Sequence, residues 1–178
     1  MADSDLYETD ILAWSEHQAD VLRAMATRPD LPNGLDLVHV VEEIEGVGQS
    51  EFYTVKSLIR LILLHAIKCA VDPDAPAVAH WEDEIDNWQN DLTDRLTPSM
   101  KRKLDLQALW QRAIYQAERS FAKQEQQTAL GLVRHVFAET HCPVSLEELS
   151  ADTEACLVVV DRLTEVVAGQ SPQALPTK

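Results

Sequence analysis

The chain of 178 residues carries 30 acidic and 15 basic side chains, a formal net charge of -15, with 46% hydrophobic and 25% charged residues. A domain of that size buries roughly 70% of its unfolded surface, so an apolar core suffices without disulfide or metal staples. The negative field opposes nucleic-acid binding, which draws its affinity from cationic contacts, and the best basic run, Lys101, Arg102 and Lys103, lacks interleaved aromatics and reads as solvated helix surface.

From the N-terminus, MADSDLYETD is acidic and has neither the basic nor the apolar region of a signal peptide. Ile11, Trp14, Gln18, Val21, Leu22 and Met25 recur at 3.6-residue spacing and predict a first helix over about 10–26, with Asp5 or Thr9 ahead of it as caps. RPDLPNG, residues 28–34, is a turn-rich connector. Leu37, Val40, Val41, Ile44 and Val47 predict a second helix, which Gly46 and Gly48 weaken or terminate. A third runs over about 50–71; its centre, SLIRLILLHAIK, is apolar on nearly every side, as in a helix packed among several others.

Two prolines break the pattern in VDPDAPAVA, residues 71–79. Trp81, Ile85, Trp88, Leu92 and Leu96 then give the most regular stripe in the chain, over 80–96. Pro98 opens a short basic segment, and Leu106, Trp110, Ala113, Ile114, Ala117 and Phe121 line a long helix ending near Gln126. Residues 127–144 read mostly as loop. Ser145 and Glu148 have the spacing of a capping box ahead of a short helix. CLVVV, residues 156–160, has strand composition, yet Leu157, Val160, Leu163, Thr164 and Val167 fit a helix, which the lack of partner strands favours. The expectation is an all-α, compact bundle of five to six helices: one domain over 1–150, an additional helix within 151–168 and a disordered tail over 169–178.

Cys69, Cys142 and Cys156 form no CxxC pair and no disulfide framework, which points to a reducing cytoplasm. The longest apolar run, Leu61 to Leu64, is far below the roughly 20 residues that span a bilayer. No cofactor motif is present.

Four blocks, LYETDILAWSEHQADVLR at 6–23, LVHVVEEIEGVGQSE at 37–51, LLHAIK at 63–68 and ETHCPVSLEEL at 139–149, closely resemble the bacterial family known as domain of unknown function 29. The resemblance spans about 6–150 and implies an all-helical protein with no established activity. It rests on Tyr7, Asp10, Trp14, Gln18, Glu42, Glu43, Ile44, Glu45, Gly48, Ser50, Glu51, His65, Lys68, Trp81 and Cys142. Many relatives are arginine-rich after the Trp81 position, whereas this chain reads EDEIDNWQND, and the last 28 residues fall outside the resemblance.

Glu42, Glu43, Glu45 and His65 are the candidate catalytic residues. At about 100° per residue, Glu43 and Glu45 border the apolar arc around Ile44 and Glu42 lies opposite it, so the glutamates serve a solvated face, structural ion pairs with Arg60 or Lys68, or acid–base chemistry. His65, central in the third helix, is expected to hydrogen-bond Glu42, Glu43 or Glu45. Asp36, His39, Glu42 and Glu45 recur every third residue and form a weak metal ribbon, which drifts about 60° per step so that only two or three members converge. Asp10, Trp14 and Gln18 are candidate binding residues, with Gln18 expected to find a hydrogen-bond partner. Cys142 beside His141 lacks an oxyanion-hole signature and is not expected to be a nucleophile. These readings favour a non-catalytic cytoplasmic interaction or regulatory protein with a protein partner or a homodimer, with no nucleic-acid or membrane partner. The alternative is a metal-dependent or acid–base enzyme using Glu42, Glu45 and His65.

Overall fold

The computed structural model describes residues 2–28, 30–32, 34–138, 140–150 and 156–170. Among them every regular element is an α-helix, in the order α1 (Ala2–Thr9), α2 (Ile11–Met25), α3 (Leu37–Val71), α4 (Val78–Arg95), α5 (Pro98–Lys103), α6 (Leu106–Lys123), α7 (Gln127–Val136), α8 (Leu146–Leu149) and α9 (Cys156–Gln170). These nine helices replace the five to six expected. The packing divides into two compact units, one running up to Lys56 and including Arg95–Leu104, the other holding Ser57–Asp94 and the chain from Asp105 onward.

In the first unit α1 and α2 are separated by Asp10, which is the N-cap of α2 in place of Asp5 or Thr9. The Thr9 hydroxyl instead donates to the Asp5 carbonyl and finishes α1. The buried face of α2 is Leu12, Ser15 and Ala19, whereas Trp14 and Gln18 are half-buried and Val21 is exposed. This register is one position away from the stripe of large apolar residues. Gly48 explains the shift: a Cβ there would stand 2.0 Å from Ser15 Oγ and 3.0 Å from Leu12 Cα. The small residues of α2 therefore lie directly against the α3 backbone. Gly46 and Gly48 are interior to one 35-residue helix and neither has a positive φ, so they do not end the second helix as expected. Ala19, Leu37 and Val41 form the adjoining core, with Leu22, Leu31 and Ile44 packed on it. Of the basic run, Lys103 pairs with Glu16.

In the second unit Ile59, Ile62, Leu63, Ala66 and Ile67 of α3 are fully buried. On α4, Ile85, Gln89 and Leu92 are buried, and Trp81 and Trp88 flank them half-buried. The predicted stripe of α6 is buried from Trp110 to Phe121, and Leu109 adds to it. The predicted loop after it contains α7, whose Ala129, Leu130, Val133 and Val136 are buried at helical spacing against α6. Glu125, at φ 58°, turns the chain between the two helices. The capping box of α8 forms as predicted, with Ser145 Oγ accepting from the Glu148 amide and Glu148 Oε2 accepting from the Ser145 amide. The ambiguous C-terminal segment is helical, and Val159, Val160 and Leu163 of α9 are buried where it packs on α7 and α8. Residues 151–155 and the predicted tail from 171 onward lie outside the described residues.

Candidate functional site

The first unit holds most of the candidates. Asp10 is 6% exposed and accepts four hydrogen bonds: Oδ1 accepts from the Thr97 hydroxyl at 2.8 Å, the Ser99 hydroxyl at 2.5 Å and the Ala13 amide at 3.2 Å, and Oδ2 accepts from the Ser99 amide at 2.8 Å. Burial opposes its ionisation, but the hydrogen bonds from Ser99, Thr97 and Ala13 outweigh it and hold the carboxyl below its ordinary value. Asp10 thus fastens the start of α2 to the start of α5, and its burial and four hydrogen bonds mark it as structural. Trp14 meets Tyr7 edge-on at 4.8 Å. Gln18 makes no side-chain hydrogen bond among the described residues, contrary to expectation; it is half-buried, so water reaches its amide.

The glutamate stretch resolves into separate roles. Glu45 pairs with Arg23 at 2.5 Å, which is the ion-pair reading among the three open to the glutamates, with α2 supplying the cation in place of Arg60 or Lys68. Glu43 is exposed, and Glu51 pairs with Arg95 at 2.8 Å. Asp36 precedes α3 and accepts from the His39 amide, as a cap does, while its second oxygen lies 2.5 Å from His39 Nδ1. The metal ribbon is therefore split between a helix cap and an ion pair, and no group of three or more metal-ligating side chains exists among the described residues. Glu42 is exposed at the edge of a cleft of about 360 Å³ between α2 and α3, lined by Arg23, Ala26, Leu37, Val38, Val41, Glu42 and Glu45.

In the second unit His65 is 9% exposed and both ring nitrogens are engaged. Nδ1 lies 3.0 Å from the Leu61 carbonyl and Nε2 lies 3.2 Å from Glu84 Oε2. Glu84 replaces the predicted partners Glu42, Glu43 and Glu45. The expected pairing placed the glutamates and His65 on two facing helices, whereas all of them belong to the single helix α3. Around the pair, His80 Nε2 approaches Glu84 at 3.6 Å, Trp88 meets the imidazole edge-on at 4.9 Å, and the Lys68 ammonium lies 5.4 Å from the Trp81 ring centre. Burial and then the Lys68 charge push His65 below its ordinary pKa, against the pull of the Leu61 carbonyl and Glu84. Burial also lowers Lys68, with Glu84 opposing. The buried His65 ring thus meets a half-buried carboxylate that also lies near the exposed His80, beside Trp81, Trp88 and the half-buried Lys68.

The sequence model described as Domain of unknown function DUF29 matches residues 6–153. The chain belongs to the DUF29 family. A crystal structure of an alpha-helical protein of unknown function from Rhodospirillum rubrum ATCC 11170 is 33% identical, with a TM-score of 0.74, and the similarity covers 88% of this chain and 96% of that one. No curated protein matches the chain. The DUF29 match ends before α9. Several positions that carry the resemblance touch one another: Tyr7 with Trp14, Gly48 with α2, and His65 and Lys68 with Trp81. Cys142 is held by packing: its amide donates to Gln107 Oε1, its thiol donates to the Val144 carbonyl, and burial raises its pKa. A protonated thiol so placed is no nucleophile.

Glu84, which sequence reasoning missed, lies in the acidic run after Trp81. The usable signal was its position between two tryptophans and one turn beyond His80.

Proposed function

We propose that this protein is a non-catalytic interaction or regulatory protein of the cytoplasm, whose α2–α3 cleft receives a basic amphipathic helix from a protein partner. The observation that carries this reading is the cleft itself. Its floor is Leu37 and Val41, its wall is Ala26, and Val38 at its lip is 68% exposed. Covering such a valine side chain contributes about 1.5–3 kcal/mol. Glu42 at the rim and the chain's excess of fifteen negative charges favour a cationic occupant and speed its approach. Apolar anchors at i, i+3 and i+7 with flanking lysines match this groove chemistry. The self-associating alternative is not favoured at α9, whose Val159, Val160 and Leu163 are already buried against its own chain.

The acid–base alternative loses Glu42 and Glu45 and retains His65 with Glu84 in their place. The ring is nearly inaccessible, with Nδ1 turned to the Leu61 carbonyl and Nε2 to Glu84, so neither nitrogen is presented to a substrate.

The test is a titration of the labelled full-length protein with a fourteen-residue amphipathic Leu/Lys helix, followed by NMR shifts. The expected result is shifts centred on Leu37, Val38 and Val41, with affinity reduced about tenfold or more by Val38→Ser and to a lesser degree by Glu42→Gln. Binding that ignores Val38→Ser overturns the proposal. A dimer in solution that Val38→Ser dissolves assigns the cleft to a second copy instead.

A further inference from the structure

The second unit contains a cavity of about 460 Å³ lined by Ser57 and Arg60 of α3 and by Arg112, Tyr115, Gln116 and Arg119 of α6. The chain has nine arginines; five of them, Arg23, Arg28, Arg95, Arg134 and Arg162, pair with carboxylates. Three of the remaining four line this one cavity, and among the described residues none of the three has a carboxylate partner. In a chain with twice as many acids as bases, three guanidiniums thus share one cavity with no carboxylate partner among the described residues. The nearest acid in sequence, Glu118, is held by Arg134 at 3.5 Å. Arg112 and Arg119 stand seven residues apart, hence on one face of α6, with Tyr115 and Gln116 between them. The Arg119 guanidinium lies 5.8 Å from the Tyr115 ring centre, a contact that leaves its hydrogen-bond donors free.

We infer that this cavity binds a phosphate ester of a hydroxyl-bearing small molecule. Guanidiniums match phosphate oxygens in pairs of parallel hydrogen bonds, and a dianion relieves the repulsion among three cations. The Ser57 hydroxyl supplies one further donor. The Tyr115 hydroxyl in the same lining can accept as well as donate, which suits a ligand that also carries a donor, as a sugar hydroxyl does. The volume lies within the range of small-molecule sites and exceeds what a lone oxyanion fills. Sugar phosphates and nucleotides share this chemistry, and Tyr115 offers a face to either.

Calorimetric titration of the full chain with orthophosphate, ribose 5-phosphate and ADP at low salt tests the site. At least one ester is expected to bind more tightly than orthophosphate, and Arg112→Gln or Arg119→Gln is expected to weaken it about tenfold, the loss of one charge-assisted pair. Both positions are exposed and glutamine keeps helix propensity, so these variants fold. Arg102→Gln, which removes the remaining unpaired arginine on α5, is expected to leave affinity within about twofold. Tyr115→Phe is expected to weaken the esters and spare orthophosphate. Tighter ADP assigns a nucleotide, and equal or tighter ribose 5-phosphate assigns a sugar phosphate. No ester binding, equal affinity for orthophosphate and both esters, or an equal loss in Arg102→Gln overturns the inference.

Discussion

Asp10 and His65 are both buried titratable groups, and acid removes stability from each for opposite reasons. Asp10 is stabilised as the anion by four donors, so its folded pKa lies below the ordinary value near 3.9. Its contribution is complete above that value and is lost as pH falls through the folded one. Asp10→Asn keeps the shape but turns an amide hydrogen toward a donor; we expect a loss of about 1–3 kcal/mol, read as a lower urea midpoint at constant slope. His65 is stabilised as the neutral ring. Below about pH 6.5 the unfolded chain takes up its proton first, so stability falls from there down to the folded pKa. Between pH 7 and 5 the stability of the wild type should therefore decline, and His65→Gln should flatten that decline. An unchanged slope in the variant would show that burial does not control this imidazole. The pair Glu84 and His65 makes the point on legibility at this scale: a histidine amid apolar residues announced a buried partner, but one carboxylate among five in EDEIDNWQND carried no mark of being it.

Gly46 and Gly48 separate intrinsic helix propensity from packing, because they are two residues apart on α3 and equally poor helix formers. Nothing lies within 4 Å of a Cβ added at Gly46, so Gly46→Ala is expected to raise stability by up to about 1 kcal/mol. At Gly48 the same methyl meets the Leu12 backbone as well as Ser15 Oγ, and backbone cannot rotate away. We expect Gly48→Ala to cost about 1–3 kcal/mol despite its propensity gain, with Ser15→Ala restoring only part. Thermal melts of the two single variants should move in opposite directions; a common direction would mean that the close approach is not what keeps glycine there. The same contact explains what the sequence concealed. Two glycines read locally as a helix stop, and the inward face of α2 consists of Leu12, Ser15 and Ala19, too small to outweigh Trp14 and Val21 in a hydrophobic stripe. In α6, where the buried positions are themselves large and apolar, the register was legible without the fold. The α7 pattern was present in Ala129, Leu130, Val133 and Val136 but diluted by Thr128 and Gly131. Likewise, Arg112 and Arg119 share a face by spacing alone, while their convergence with Arg60 required tertiary structure.

At the scale of the chain, the net charge guarantees that at least fifteen carboxylates have no basic side chain to neutralise them. Among the described residues seven others, Glu16, Asp20, Asp30, Glu45, Glu51, Glu118 and Glu148, pair with arginine or lysine. Salt acts on both populations with opposite sign. It weakens the pairs, which are largely solvent-exposed and contribute about 0–1 kcal/mol each, and it screens the repulsion among the excess acids. Because the pairs start small and the excess is twice their number, screening of repulsion should win. Raising the ionic strength from about 0.01 to 0.15 M shortens the Debye length from about 30 to 8 Å, and a gain on the order of 1 kcal/mol would raise Tm by roughly 2–4 °C for a chain this long. A falling Tm would place more stability in the ion pairs than their exposure allows. The same step should slow association of a basic helix with the α2–α3 cleft, since the field that strains the free protein is the field that attracts the partner. Salt that stabilises the chain while weakening its complex distinguishes an acidic surface that serves binding from one that serves the fold.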